Sequence, residues 1–187
     1  MAINKEKFSL QNKIKYLISN PNLFFERIKN ENTIKDAFLL DLIIRTFIAA
    51  LLYFFVFSIV VIIGEDWNNY YSFIILPAIF LFFFIGILKN FIFSGLIYLV
   101  LKAYKIKGDY QKTYNVYVYS SIPYLVLFII PYIGVFSIIY SYYLMIIGMS
   151  RVHNISIGKS ALACLLPIII FISIFIILIL WFLKYAI

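Results

Sequence analysis

The sequence predicts an all-α protein, a polytopic bundle of five transmembrane helices that follows an amphipathic N-terminal leader. Of its 187 residues, 65% are apolar and 13% are charged, and the mean hydropathy is +1.01. Such a chain has too little polar surface to cover a soluble globule. Successive apolar runs follow Phe38, and each is near the roughly 20 residues that cross a bilayer as a helix. The expected division is a leader over residues 1–37 and a membrane bundle over residues 38–187.

The leader is polar at first sight, with eleven charged side chains in its 37 residues. A cleavable signal peptide is therefore not expected. Apolar residues recur among lysines at helical spacing over residues 6–18, which predicts a helix lying on the membrane surface. Asn20 and Pro21 predict the cap and first turn of a second short helix. The apolar side of that helix would consist of Leu23, Phe24, Phe25 and Ile28.

Five spans are expected, at about residues 42–63, 74–104, 114–130, 134–150 and 161–183. The stretch 114–149 is uncharged for 36 residues, about 54 Å as a helix, so it must fold back on itself. Pro131 to Gly134 is the expected turn. Asp41 and Arg45, four residues apart at the start of the first span, are expected to pair locally and to reach the headgroups.

The stretch 70–104 allows two interpretations, because 35 residues are long for one span and short for two. Lys89 and Asn90 would be either a turn between two short helices or the middle of one long helix. One long helix places thirteen basic side chains on the N-terminal side and only Lys184 opposite, whereas a turn at Lys89 places nine inside and six outside. Since cytoplasmic loops are rich in Lys and Arg, one long helix is favoured, with the N-terminus in the cytoplasm.

This topology predicts the outcome of a labelling experiment. Cysteines introduced singly at Asp66 and Asp109, in a Cys164→Ala background, should react from opposite faces of intact vesicles. Labelling of both positions from one face would contradict five spans.

The sequence contains few residues of the types that take part in catalysis or bind metals and cofactors. No nucleophile with a base, carboxylate pair, metal cluster or phosphate-binding glycine loop is found at the embedded positions, so we expect no enzyme, cofactor or metal. His153, the single histidine, is expected to be solvated at the interface, and Cys164 to serve packing. The net charge of +8 is assigned to orientation and lipid contact rather than to nucleic acid.

Lys89 lies near the middle of the long second span. A charge at the bilayer centre costs about 2.5–3.5 kcal/mol, so Lys89 is expected to face the bundle interior, toward hydroxyls of spans three and four. It forms, with Asn90 and Ser94, a candidate polar membrane site. Small residues recur at Gly86, Asn90 and Ser94, and at Gly134, Ser137 and Ser141. These two stripes favour close helix packing or a homo-oligomer interface over a pore lining.

The segment from Lys107 to Thr113, followed by Tyr119, Ser120 and Pro123, resembles the Yip domain family of small five-span membrane proteins. Supporting elements are the leader residues around Asn20 and Pro21 and the segment from Gly148 to His153. The candidate family-motif residues are Gly108, Tyr110, Thr113, Tyr119, Ser120 and Pro123. The resemblance covers nearly the whole chain and implies five spans with a cytoplasmic N-terminus.

The resemblance implies a non-enzymatic membrane protein that acts through partners or by organising the membrane. The expected partners are the bilayer and a second copy or other membrane proteins. Eukaryotic members bind Rab-type GTPases, but this chain lacks their Asp-Leu-Tyr-Gly-Pro motif, so GTPase binding is not carried over. An Ile-, Lys- and Asn-rich composition favours a prokaryotic member, located in the cell membrane. The alternative function is a small transporter or channel with a polar site around Lys89.

Overall fold

The computed structural model describes residues 10–31, 33–63, 68–106, 108–128, 130 and 132–186. These residues form helices joined by short turns, as the sequence predicts. The helices are α1 (Leu10–Ser19), α2 (Pro21–Ile28), α3 (Lys35–Ile63), α4 (Asn68–Ala103), α5 (Tyr110–Leu127), α6 (Ile133–His153) and α7 (Ile157–Ala186). The all-helical fold class is thereby confirmed.

The five long helices run alternately up and down the bundle. The end of α4 and the start of α5 meet the end of α6, because Gly108 and Thr113 both adjoin His153. The start of α3 lies at the same end, where the Asn115 side chain donates to the Thr33 carbonyl at 2.9 Å. This end also carries α1 and α2, and we call it the leader end. Five passes that begin there finish with the C-terminus of α7 at the opposite end.

Four helices of the described chain are long and apolar enough to cross a membrane, namely α3, α4, α6 and α7. The remaining predicted span falls on α5, which has 18 residues and carries several tyrosine and serine side chains. This helix lies at the centre of the bundle, where it packs against α3, α4 and α6. Its polar side chains are therefore covered by protein rather than by lipid, which explains how a less apolar helix fits in the bundle.

Two boundaries predicted from the sequence can be compared with the helices. The prediction of one long second helix is confirmed, because α4 continues without a break through Lys89 and Asn90. The connection between the predicted fourth and fifth spans is shorter than the expected interval 151–160, since α6 extends to His153 and α7 begins at Ile157. Asn154 makes this sharp connection in the left-handed conformation, with φ of 53°; asparagine tolerates that region better than most residues.

The leader packs against the bundle through α2, and its position on a membrane surface stays a prediction. Asn20 caps α2 by accepting from the Leu23 amide at 3.3 Å. Phe24, Phe25 and Ile28 are then buried, and the Phe24 ring meets Tyr119 of α5 edge-on at 5.2 Å between centroids. Most of the predicted apolar side of α2 is thus covered by protein, chiefly α6 and α1 with Tyr119 of α5, whereas Leu23 is 45% exposed. The amphipathic pattern of a helix does not indicate whether its apolar side packs on lipid or on protein, because both surfaces are apolar.

Candidate functional site

A buried ionic cluster joins α3 to α4. The Asp41 carboxylate accepts from Arg45 Nε at 2.8 Å and from Asn90 Nδ2 at 2.9 Å. Asp41 and Arg45 are 1% and 6% exposed, and Asn90 is fully buried. The predicted local pairing is therefore present, but the expectation that both side chains reach the headgroups is wrong. Asn90, 49 positions from Asp41 in the sequence, supplies the interhelical contact that keeps the pair inside.

Gly86 makes room for the Arg45 side chain. A β-carbon at Gly86 would collide with the Arg45 guanidinium. The space beyond is a cavity of about 270 Å³ between α3 and α4, lined almost entirely by apolar side chains such as Leu52, Ile79 and Phe83. The guanidinium is therefore held between a polar partner on one side and apolar space on the other. Gly86 of the predicted small-residue stripe thus serves close packing.

Lys89 faces a second cavity, of about 230 Å³, which is lined by residues of α4, α5 and α6. Its ammonium lies 5.7 Å from the centroid of the Tyr124 ring, within the range of a cation–π contact. Six hydroxyl-bearing side chains also line this space: Tyr117, Ser120, Ser121, Tyr124, Ser141 and Tyr142. Lys89 therefore faces the hydroxyls of spans three and four rather than a bare apolar surface.

The structure separates the three residues of the candidate polar membrane site. Lys89 faces the cavity beside α5 and α6, whereas Asn90 binds Asp41 of α3. Ser94 lies 3.3 Å from the Tyr110 hydroxyl, and its own hydroxyl donates to the Phe91 carbonyl at 3.2 Å. Adjacent helix positions point about 100° apart, so neighbours in sequence reach different elements. Of the three, Lys89 alone lines the polar cavity.

The second stripe of small residues is also divided between two roles. A β-carbon at Gly134 would lie 3.2–3.3 Å from the Phe128 backbone, so this glycine lets α6 turn closely over the end of α5. Ser137 is buried and donates to the Gly134 carbonyl at 2.6 Å. Ser141 instead lines the Lys89 cavity and accepts from the Tyr124 amide at 3.1 Å.

Three of the candidate family-motif residues gather around the turn that leads into α5. Asp109 caps α5 by accepting from the Gln111 amide at 3.0 Å. The Thr113 hydroxyl lies 3.1 Å from His153 Nε2, and a β-carbon at Gly108 would lie 3.1 Å from His153 Nδ1. His153 is 8% exposed, so the prediction of a solvated interfacial histidine is wrong. Tyr110, as described above, ties the same turn to Ser94.

The remaining motif residues lie further along α5. Tyr119 is fully buried and receives a hydrogen bond from Lys13 Nζ at 3.0 Å. Ser120 is 1% exposed and lines the Lys89 cavity. Pro123 is buried inside the helix, where it cannot donate a backbone hydrogen bond. The motif therefore connects the leader, the α4–α5 turn and the cavity.

Lys13 is a buried charged side chain whose contacts were not predicted from the sequence. It is 1% exposed and donates to Glu31 at 2.6 Å, to Asp36 at 2.9 Å and to Tyr119. Burial by itself lowers the pKa of Lys13, but the hydrogen bonds to Glu31, Tyr119 and Asp36 outweigh it and raise that pKa above its ordinary value of 10.5. We call this group, Lys13 with Glu31, Asp36 and Tyr119, the leader latch.

The leader latch had one weak sequence signal. Lys13 occupies the same helical face as Leu17, four residues on, and a lysine on an apolar face is ordinarily read as a snorkelling side chain. Its partners lie 18, 23 and 106 positions away. No local pattern specifies such distant contacts.

Comparison with protein families identifies the chain. The model of the Yip1 domain matches residues 15–179, which is most of the sequence. The chain belongs to the Yip1 domain family. The resemblance inferred from the motif is thereby confirmed, and the matched range begins at Lys15 in the leader and ends at Ile179, within α7. No curated protein and no solved structure matches this Yip1 domain protein.

Membership of the Yip1 domain family, together with the apolar helices, establishes a multi-pass integral membrane protein. Within the described part of the chain, no three His, Cys, Asp or Glu side chains come together as a metal site would require. The expectation that the protein is not an enzyme stays a prediction. Orientation across the membrane also stays a prediction.

Proposed function

We propose that this Yip1 domain protein is a non-enzymatic membrane protein that acts through partners and by organising the membrane, using its leader end as a fixed platform. The observation that carries this proposal is the leader latch. A buried lysine with three hydrogen-bond partners holds the leader in one position. A leader that served only as a loose membrane anchor would need no such buried contact.

The charge of the platform suits an anionic surface. The leader end carries ten basic side chains against four acidic ones within the described residues. Most of the basic ones are exposed, including Lys15, Arg27, Lys102 and Arg151. Each basic side chain near an anionic leaflet contributes about 1 kcal/mol of attraction. The platform would therefore lie against the cytoplasmic headgroups and present α1 and α2 to other proteins there.

Releasing the latch tests the proposal. Lys13→Met keeps most of the length of the side chain but removes the ammonium that donates to Glu31, Asp36 and Tyr119. We expect it to weaken leader docking by only about 1–3 kcal/mol, because the partial exposure of Glu31 and Asp36 limits the strength of the ion pairs. A photo-crosslinker at the exposed position Leu23 would be used in native membranes. Wild type should give discrete crosslinked species, and Lys13→Met should lose them at equal membrane abundance.

Lys15→Met is the matched control, since Lys15 is an exposed lysine on the same helix. It should give the wild-type crosslinks. Identical crosslinks from Lys13→Met, or no discrete species from wild type, would contradict a role for the docked leader. The contribution of the leader latch to stability should be fully present below about pH 10.5, as long as Glu31 and Asp36 are ionised, and should disappear as pH rises through the higher folded-state pKa of Lys13.

The Lys89 cavity favours a second candidate function, a small transporter or channel. An ionisable side chain in a polar cavity between spanning helices is a common feature of substrate pathways. Solute flux into vesicles containing the purified protein would distinguish this function from the platform. Flux that persists in Lys13→Met and disappears in Lys89→Met would support it.

A further inference from the structure

The Lys89 cavity contains a buried hydroxyl that has no partner. Ser120 belongs to the lining of the cavity, and its buried Oγ makes no hydrogen bond to any described residue. Buried polar atoms are almost always paired, so an unpaired hydroxyl on a residue that lines a cavity requires an explanation. A hydroxyl of this kind is available to donate to a bound ligand.

A second hydroxyl group at the cavity is that of Ser141. Ser141 lines the cavity, and its Oγ accepts from the Tyr124 amide at 3.1 Å, a bond that does not use the proton of the Ser141 hydroxyl. Tyr117 and Tyr142 add two phenolic hydroxyls to the same lining. The cavity thus places several neutral donors around one cation.

The charges around the cavity do not balance. Among the described residues, Arg45 and Asp41 are the charged side chains that act on Lys89 electrostatically. Asp41 is already paired with Arg45, at 2.8 Å. No described carboxylate lies within ion-pair distance of Lys89. Lys89 and Arg45 thus share the single anion Asp41, so the Lys89 ammonium has the Tyr124 ring but no carboxylate as a close partner, and an added anion would supply the missing negative charge.

We propose that the cavity between α4, α5 and α6 is a binding site for one small oxyanion of the phosphate class, held by the Lys89 ammonium and by the Ser120 and Ser141 hydroxyls. A volume of about 230 Å³ is smaller than the roughly 300–1,000 Å³ of sites for drug-sized ligands. It suits a phosphate group rather than a large solute. The site goes beyond the platform function, and it requires binding only, whether or not the anion is transported.

The anion has two possible sources with the same chemistry, a lipid phosphate or free inorganic phosphate. Lys89, Ser121, Tyr124 and Ser141 are only partly buried, so the cavity reaches the surface of the described protein. A lipid headgroup could therefore enter between helices, and a free anion could enter from water. The experiment separates the two sources.

Binding would be measured on the purified full-length protein in detergent, by thermal unfolding followed through intrinsic tryptophan fluorescence. One arm titrates sodium phosphate against sodium chloride at equal ionic strength. The other arm adds phosphatidylglycerol or, as its neutral counterpart, phosphatidylcholine to the micelles. A ligand that binds the folded state raises the unfolding temperature in a saturable manner.

We expect saturable stabilisation by phosphatidylglycerol or by phosphate, and the arm that responds identifies the source. Lys89→Met should weaken the apparent Kd by about 10- to 100-fold, and Ser120→Ala by about 3- to 10-fold. Lys102→Met, which removes an exposed lysine of the same helix, should leave it unchanged.

The absence of saturable stabilisation of wild type in both arms would overturn the proposal. Wild-type affinity in both Lys89→Met and Ser120→Ala would overturn it as well. Should Lys89→Met fail to fold, the wild-type titrations and Ser120→Ala still decide the question.

Discussion

Replacing Asp41 by leucine is expected to destabilise the protein by about 3–5 kcal/mol, the largest effect of any single substitution proposed for this chain. The change removes the acceptor of Arg45 Nε and of the Asn90 amide together. Arg45 would remain 6% exposed with a full charge. The neighbouring cavity between α3 and α4 offers it no new partner, because its other lining residues are apolar.

The double variant Asp41→Leu with Arg45→Met provides the decisive comparison. Removing both members of a buried pair eliminates the desolvation cost of both charges, and such replacements are often neutral or stabilising. We therefore expect the double variant to recover most of the stability lost by Asp41→Leu. Unfolding of the detergent-solubilised protein by denaturant, analysed as a double-mutant cycle, would measure both values.

Asp36→Ala is the matched control, because Asp36 is an ion-paired carboxylate that is 53% exposed. It should cost about 1 kcal/mol or less. A wild-type stability for Asp41→Leu, or a double variant no more stable than the single one, would show that the cluster does not act as a buried ion pair.

Adding one methyl group at Gly148 is expected to cost about 1–3 kcal/mol and to release the leader. A β-carbon there would lie 2.6 Å from Val116 Cγ1 and 2.7 Å from Phe25 Cε1, both well inside contact distance. Phe25 and Val116 are fully buried, so neither can move without displacing α2 or α5. We expect α2 to move rather than α5, because α2 is a short helix of the leader and α5 lies at the centre of the bundle.

Gly158→Ala provides the matched control for Gly148→Ala. Both glycines are helical, but a β-carbon at Gly158 would meet nothing within 4 Å. Alanine favours the helix over glycine by up to about 1 kcal/mol, so Gly158→Ala should be neutral or stabilising. Chymotrypsin cleavage in the leader, at Phe24 or Phe25, should accelerate in Gly148→Ala alone. Equal cleavage of both variants would contradict the close packing of α2 on α6.

The course of the long helices was predictable from the sequence for physical reasons that are local. Length and hydropathy decide whether a segment can cross a bilayer, and both are read directly along the chain. The distribution of Lys and Arg favoured an unbroken helix through Lys89, as observed in α4. The turn after α5 was predicted because the uncharged stretch 114–149 is too long for one span. In the structure, α5 ends at Leu127 and α6 begins at Ile133.

The sequence did not predict the surroundings of polar side chains that can reach either solvent or another helix. Asp41 and His153 were expected near headgroups or water, yet both are buried against other helices. A charged or polar residue near the end of a span can reach solvent or find a protein partner, and its own neighbours in sequence do not decide which. Lys13 shows this most clearly, since its partner Tyr119 is 106 positions away.

By itself, the sequence determined the membrane class, the helical fold, the single long α4 and the family, because hydropathy, length and motif order are properties of the chain alone. The tertiary structure decided which side chains meet: Asp41 with Asn90, Lys13 with Tyr119, and Lys89 with the hydroxyls of α5 and α6. Those contacts depend on which helix faces pack together. Packing depends on the shapes of several helices at once, including the clefts opened by Gly86 and Gly148.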